Sequence, residues 1–177
     1  MKKILAYAGS NSSTSINQTL VDYATSLLAD AEVKHIKLTD YSLPMFGEDI
    51  EKEQAYPDSL RELRNEFKWA DAILLSVNEH NGTVSAFYKN VMDWLSRLEY
   101  KFLENKPVFL MSTSGGKRGA RSAREYTERV LPRFDAGEIS TFELPSYSDN
   151  FENGRIIDGD LDAELKSKLQ EWMHQKA

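Results

Sequence analysis

Three stretches of the chain are apolar at nearly every consecutive position: Ile4 to Ala8, Ala72 to Val77 (broken only by Ser76), and Pro107 to Met111. Runs of that length suit strands buried on both faces, as in the middle of a parallel sheet. Glu32 to Leu38 alternates instead, with Val33, Ile36 and Leu38 apolar, and reads as a strand near an edge. Ile139 to Phe142 belongs to a fifth strand. Between these lie helical spacings: Ile16, Leu20, Tyr23, Ala24, Leu27 and Leu28; then Leu60, Leu63 and Phe67 behind Pro57-Asp58. Val84, Phe87, Tyr88, Val91, Met92 and Leu95 mark the next helix, residues 121–131 a basic one, and Leu161, Leu165, Leu169 and Trp172 a closing one. Residues 39–56 read as a long connection, with Leu43-Pro44-Met45-Phe46-Gly47 in its middle.

Strands alternating with helices imply βαβ units, hence a parallel sheet covered on both faces. The expected order is 2-1-3-4-5, with a switch point between strands 1 and 3. The loops Gly9–Asn17 and Asn78–Thr83 then face one crevice. No repeat or low-complexity segment interrupts the chain, so residues 1–177 are expected to form one domain.

Composition narrows the chemistry. The 177 residues carry a formal charge of −6 and no cysteine. That excludes disulfides, iron–sulfur ligation and thiol nucleophiles, and the acidic balance argues against nucleic acid as the main partner. His35, His80 and His174 lack ligand spacing, so no metal is expected. No apolar run suggests a signal peptide or a membrane span, and a cytoplasmic location is the expectation.

The first loop, Ser10-Asn11-Ser12-Ser13-Thr14-Ser15-Ile16-Asn17, is nearly all hydroxyls and amides and feeds a helix start. First-turn N–H groups are unpaired, and the helix dipole adds partial positive charge there, which together make an anion site. A plainer reading is a capping box, in which Ser15 and Gln18 each satisfy a backbone N–H. A cap needs one hydroxyl and this loop offers five, which favours phosphate. The loop has neither the Gly-Lys-Ser/Thr of a Walker motif nor Gly-x-Gly-x-x-Gly.

The second loop runs Asn78-Glu79-His80-Asn81-Gly82-Thr83, into a helix bearing Lys89-Asn90 and Asp93-Trp94. A third, Ser114-Gly115-Gly116 with Gly119-Ala120-Arg121, follows the fourth strand. With Gly9-Ser10 to Asn17, these motifs resemble the NADPH-dependent FMN reductase family, a flavodoxin-like group that includes quinone, azo-dye and chromate reductases. The resemblance reaches to about residue 142. It implies a flavodoxin-like three-layer α/β/α sandwich and FMN as cofactor, with NADPH or NADH as co-substrate.

By that resemblance Ser10, Ser15 and Asn17 bind the FMN phosphate, with Ser12, Ser13 and Ile16 beside them. Asn78, Glu79, His80, Asn81 and Gly82 run along the isoalloxazine, largely through backbone N–H groups, and Ser114, Gly115 and Gly116 approach its other edge. The chain departs from the motif at three places: Ser12 stands for the family's loop arginine, Asn78 for a proline and His80 for a tyrosine. Taken alone, Glu79-His80-Asn81-Gly82 reads as a simple turn, since Asn-Gly is a common turn pair.

The implied reaction passes hydride from nicotinamide to flavin N5, then electrons to a quinone, azo compound, metal oxyanion or free flavin, with no catalytic side chain required. A small-molecule acceptor and a homodimer or homotetramer are expected, with neither nucleic acid nor membrane as partner. The rivals are a flavodoxin-type electron carrier without a nicotinamide site and a phosphate-sensing domain without flavin. Lys117 and Arg118 are the best candidates for a 2′-phosphate contact, against a solvated or ion-paired basic face. Trp94 and Tyr88 suit either a partner interface or the core. Tyr147 to Phe151 suits either a cover over the site or a surface loop.

Overall fold

The computed structural model describes residues 1–175. Five parallel strands form the sheet: β1 Lys2–Ala8, β2 Ala31–His35, β3 Ala72–Val77, β4 Val108–Thr113 and β5 Ile139–Leu144. Their order is β2-β1-β3-β4-β5, the arrangement expected from the alternation of strands and helices. Five longer helices cover it: α1 Ile16–Ser26, α2 Asp58–Trp69, α3 Ala86–Leu98, α4 Arg121–Val130 and α5 Gly159–Met173. No helix among the described residues is long and apolar enough to cross a membrane.

The consecutive apolar runs are explained by two cores. Leu5, Tyr7, Ile73, Leu75, Val108 and Leu110 point to the face packed by α2, α3 and α4. Ile4, Ala6, Ala8, Ala72, Leu74, Phe109 and Met111 point to the face packed by α1 and α5. A strand whose side chains alternate between two such faces keeps its polar residues to its ends, as Ser76 in β3 and Ser112 and Thr113 in β4.

Three segments differ from the sequence expectation. Residues 79–84 form a small antiparallel hairpin, Glu79–His80 against Thr83–Val84, and α3 begins only after Ser85. The long connection contains a 3₁₀ turn, Leu38–Asp40, and a short helix, Glu48–Glu53. It is stitched to α3: Asn90 Nδ2 and Trp94 Nε1 both donate to the Pro44 carbonyl, at 3.0 and 2.7 Å, and the Phe46 N–H donates to Asn90 Oδ1 at 2.7 Å. Trp94 and Tyr88 are therefore core residues, 1% and 2% exposed. Last, a short helix, Tyr147–Asn150, precedes a second hairpin, Phe151–Glu152 with Arg155–Ile156.

Under α2, the buried Arg64 guanidinium donates to Glu99 at 2.6 Å and to Glu104 at 2.8 Å, and Lys106 reaches Glu104 at 2.5 Å. The hydrogen bond from Arg64 lowers the Glu99 pKa; that from Lys106, joined by Arg64, lowers that of Glu104. A carboxylate whose folded-state value is depressed adds stability above the unfolded value of about 4.3, and loses it as pH falls through the folded value. Melting temperature should therefore drop as pH is lowered from about 5 towards 3, and the double variant Glu99→Gln/Glu104→Gln should show a shallower drop. Equal slopes in thermal melts across that range would rule out this network as a source of acid sensitivity.

Candidate active site

The carboxyl ends of β1, β3 and β4 deliver three loops to one edge of the sheet. The chain leaves β1 pressed against α3. The Gly9 N–H donates to the Ser76 carbonyl at 2.9 Å, and Ser85 Oγ donates to the Gly9 carbonyl at 3.0 Å. A Cβ at Gly9 would lie 2.9 Å from Tyr88 Cγ, so only glycine lets the first loop start this close to the helix.

The loop that follows folds on its own hydroxyls. Ser10 Oγ accepts from the Ser12 N–H at 3.2 Å, and Ser12 Oγ accepts from the Thr14 N–H at 3.3 Å. Ser15 caps α1, its Oγ accepting from the Gln18 N–H at 3.3 Å. Only half of the expected capping box forms, because Gln18 Nε2 turns outward to Asp22 Oδ1 at 2.9 Å. A hydroxyl accepts and donates at once, so the cap leaves the Ser15 O–H free to donate. The Ile16 and Asn17 N–H groups, in the first turn of α1, have no intrahelical acceptor. Cap and anion site are thus compatible uses of one residue.

Asn17 is placed differently from its neighbours. The ladder between β3 and β4 ends at Val77 opposite Ser112, and the next residue, Thr113, lacks a strand partner on that side. The Asn17 carboxamide takes that place. Its Nδ2 donates to the Thr113 carbonyl at 3.2 Å, and its Oδ1 accepts from the Thr113 N–H at 3.1 Å and from Ser76 Oγ at 2.7 Å. The side chain is 3% exposed and spent internally. Of this residue, the backbone N–H is what remains to face the loop.

In the second loop Asn81 (φ 51°) and Gly82 (φ 81°) are both left-handed, the backbone of a two-residue type I′ hairpin turn. Glu79 points away from the crevice: its Oε2 accepts from the Ala123 N–H at 3.3 Å and serves α4, whose own cap residue, Ala120, has no side chain to offer. Asn78 and His80 meet each other, Asn78 Nδ2 lying 3.2 Å from His80 Nε2. Asn78 Oδ1 is buried without a partner.

The third loop is held to the segment after β5. The Tyr147 N–H donates to the Ser114 carbonyl at 3.0 Å, and the Ser146 N–H to that of Gly116 at 2.9 Å. From there Tyr147 reaches α1, its hydroxyl 2.7 Å from Thr19 Oγ1, with its ring stacked on Phe151 at 4.9 Å. It forms one wall of the cleft over the hydroxyl loop. A Cβ at Gly115 would meet nothing within 4 Å, and one at Gly116 only Ser114 Oγ at 3.7 Å. Protein packing does not require glycine there; the space above those two residues is open.

Ser10, Ser12, Ser13, Ser15 and Ile16 line a cleft of about 750 Å³, with Thr14, Tyr147 and Lys37 to Asp40. His80 and Asn81 line a second one of about 460 Å³, with Thr83, Val84, Ala86, Lys89 and Tyr126. The three loops are thus neighbours along one edge but do not share a single cavity. Among the basic residues after β4, Arg121 pairs with Glu143, and Arg124 with Glu128 at 2.6 Å and Glu143 at 3.3 Å. Arg118 makes only a 3.4 Å contact with Ser122 Oγ, and Lys117 is exposed on the loop itself.

The donor set suits a phosphate ester carrying a flat ring. Hydroxyls and unpaired first-turn N–H groups surround one cleft, and uncovered glycines lie two strands away. Sequence reasoning did not identify Lys37, Thr19 or Thr113 as parts of this edge. Their roles depend on contacts across the sheet that leave no local pattern.

Comparison with known proteins points the same way. A family described as NADPH-dependent FMN reductase matches residues 2–149. An NAD(P)H-dependent FMN reductase of Pseudomonas aeruginosa is 27% identical over 172 residues, 95% of this chain and 91% of that protein. An NADPH:quinone oxidoreductase of Arabidopsis thaliana is 32% identical over 124 residues, 68% of this chain and 62% of that protein. Among solved structures, the flavoenzyme NAD(P)H:(acceptor) oxidoreductase FerB from Paracoccus denitrificans superposes with a TM-score of 0.77 at 21% identity, covering 97% of this chain and 95% of that one. An NADH:FMN oxidoreductase in its apo form gives 0.76 at 19% identity, covering 100% and 91%. At these identities the superpositions speak to the fold.

Proposed function

The chain belongs to the NADPH-dependent FMN reductase family, an oxidoreductase family working with FMN and NAD(P)H, and from that premise we propose how its own residues serve the cofactor. The phosphate lies on the loop from Ser10 to Asn17. Ser10 and Ser15 donate through their hydroxyls, Ile16 and Asn17 through their backbone N–H groups, and Ser12 and Ser13 complete the wall. Asn78 to Gly82 and Ser114 to Gly116 would hold the isoalloxazine, the missing side chains of Gly115 and Gly116 leaving room for it. Held by these residues, FMN would supply the redox chemistry, hydride acceptance at N5 from the nicotinamide and electron delivery to a small acceptor such as a quinone, azo compound, metal oxyanion or free flavin.

The protein's part is positional and electrostatic. Backbone N–H groups near the ring favour added negative charge there. Glu79 is turned away onto α4, so its carboxylate adds no opposing charge at close range. Tyr147, clasped to Thr19, closes one side of the phosphate cleft against water. No side chain is needed as acid or base in the hydride step. The chain acts as one FMN-binding unit and as a homodimer or homotetramer.

The observation that carries this reading is the concurrence, on one cleft, of five hydroxyl side chains with the unpaired first turn of α1. Purified protein should show flavin absorbance, bind FMN at least tenfold more tightly than riboflavin, and be reduced directly by NADPH in stopped-flow. A colourless protein that binds neither flavin would sink the reading. Flavin bound but reduced only very slowly by NADPH or NADH would identify an electron carrier instead.

A further inference from the structure

The phosphate loop carries no cation of its own, because residues 10–17 include no lysine, arginine or histidine. A phosphate dianion held only by neutral donors is weakly bound compared with one that also meets a positive charge. The opposite wall of the same cleft is built by the segment that leaves β2, residues 37–40. Lys37 is the only cationic residue lining that cleft among the described residues.

Its direction is set by its neighbours. The Ile36 N–H donates to the Ala6 carbonyl at 3.1 Å, and Lys37 itself is extended, with φ −108° and ψ 121°. Ile36 and Leu38 are both buried, 8% and 1% exposed. Successive side chains of an extended backbone point to opposite sides, so burying residues 36 and 38 turns Lys37 outward onto the cleft. It forms no ion pair within 4.0 Å among the described residues. The cleft also holds two carboxylates, Asp22 and Asp40. Asp22 is occupied by Gln18 Nε2 at 2.9 Å and faces His35 Nδ1 at 3.4 Å. Without Lys37 the lining would carry negative charge only, a poor receptor for a dianion.

We infer that Lys37 supplies, from the segment that follows the strand next to β1, the cation that the phosphate loop lacks. This rests on the proposal that the FMN phosphate lies on the Ser10–Asn17 loop. The cation has moved from the loop to the facing wall, while the hydroxyls and helix start keep their place.

Equilibrium titration of apo-protein with FMN and with riboflavin, at about 20 and about 300 mM NaCl, tests both levels. Wild type should prefer FMN, and more so at low salt. Lys37→Gln should weaken FMN roughly 5- to 20-fold, leave riboflavin within about twofold and flatten the salt dependence. Lys37→Arg should retain most of the preference, and Ser12→Arg added to Lys37→Gln should restore it. An exposed lysine can be replaced without unfolding the chain, and unchanged melting curves would verify that. If wild type prefers FMN but Lys37→Gln changes neither the preference nor its salt dependence, the inference is wrong and the loop reading stands. If wild type binds both flavins equally, the phosphate is not on this loop, and the role of Lys37 falls with it.

Discussion

Replacing Asn17 by alanine should lower the melting temperature of the apo-protein by roughly 6–12 °C and weaken FMN binding at least tenfold. Three buried hydrogen bonds end on this carboxamide, from Ser76 Oγ, from the Thr113 N–H and to the Thr113 carbonyl. The truncation removes none of the three partners, and each is left inside the protein. A buried polar group without a partner costs about 1–3 kcal/mol. On its β3 side Thr113 has no strand to turn to, since the β3–β4 ladder stops one residue earlier. A loss of about 3 kcal/mol in all is therefore expected, and for a chain of this length each kcal/mol moves the melting temperature by about 2–4 °C.

The loss of binding follows from the same geometry. Asn17 ties the first turn of α1 to the ends of β3 and β4, and so sets where the Ile16 and Asn17 N–H groups point. Asn17→Asp is the sharper control: it is nearly the same size, but it sets an oxygen against the Thr113 carbonyl. It should be at least as unstable as the alanine variant. Thermal melts of the apo forms decide the matter. A fall of under about 3 °C for both variants would mean that the carboxamide is dispensable to the sheet.

What could be read along the chain follows the physical range of each interaction. The strands of the sheet are legible because burial on both faces leaves runs such as Ile4–Ala8 without a polar break, and Ala72–Val77 with Ser76 as its one polar residue. The first loop was visible because five hydroxyls and a helix start lie within a few residues. The hairpin at residues 79–84 reads in the sequence only as a loop, since strands of two residues carry no periodicity; Asn81-Gly82 is its one local sign. The part played by the Asn17 side chain joins residues 96 positions apart. It depends on where a ladder between two other strands ends, which no motif records. Glu79 likewise serves a helix 44 residues away. Asn90 and Trp94 lie in a recognisable motif, but their side chains hold the long connection at Pro44 rather than the site edge. Motif positions thus divide into those that face the crevice and those that build it, and only contacts across the fold separate the two.

Between Ser15→Ala and Ser15→Glu, stability and cofactor binding should move in different directions. Ser15→Ala loses the acceptor for the Gln18 N–H, a cap worth about 1 kcal/mol, and one hydroxyl donor. A hydrogen bond to a charged group contributes about 1.5–3 kcal/mol, so FMN affinity should fall roughly 10- to 100-fold. Ser15→Glu also loses the hydroxyl, but it sets a carboxylate at the start of α1, where the helix dipole favours negative charge by about 0.3–1 kcal/mol. The apo form of Ser15→Glu should therefore be as stable as the alanine variant, or slightly more so. Towards FMN the carboxylate meets the phosphate as a like charge. Over about 6 Å in a partly solvated cleft that repulsion is worth roughly 2–3 kcal/mol, a further loss of about 30- to 100-fold beyond alanine. Riboflavin, having no phosphate, should bind both variants almost alike. Melting curves and titrations with the two flavins separate these effects without any measurement of turnover. If Ser15→Glu held FMN as tightly as Ser15→Ala does, the serine would be a helix cap alone, and the phosphate would have to be sought elsewhere along the edge.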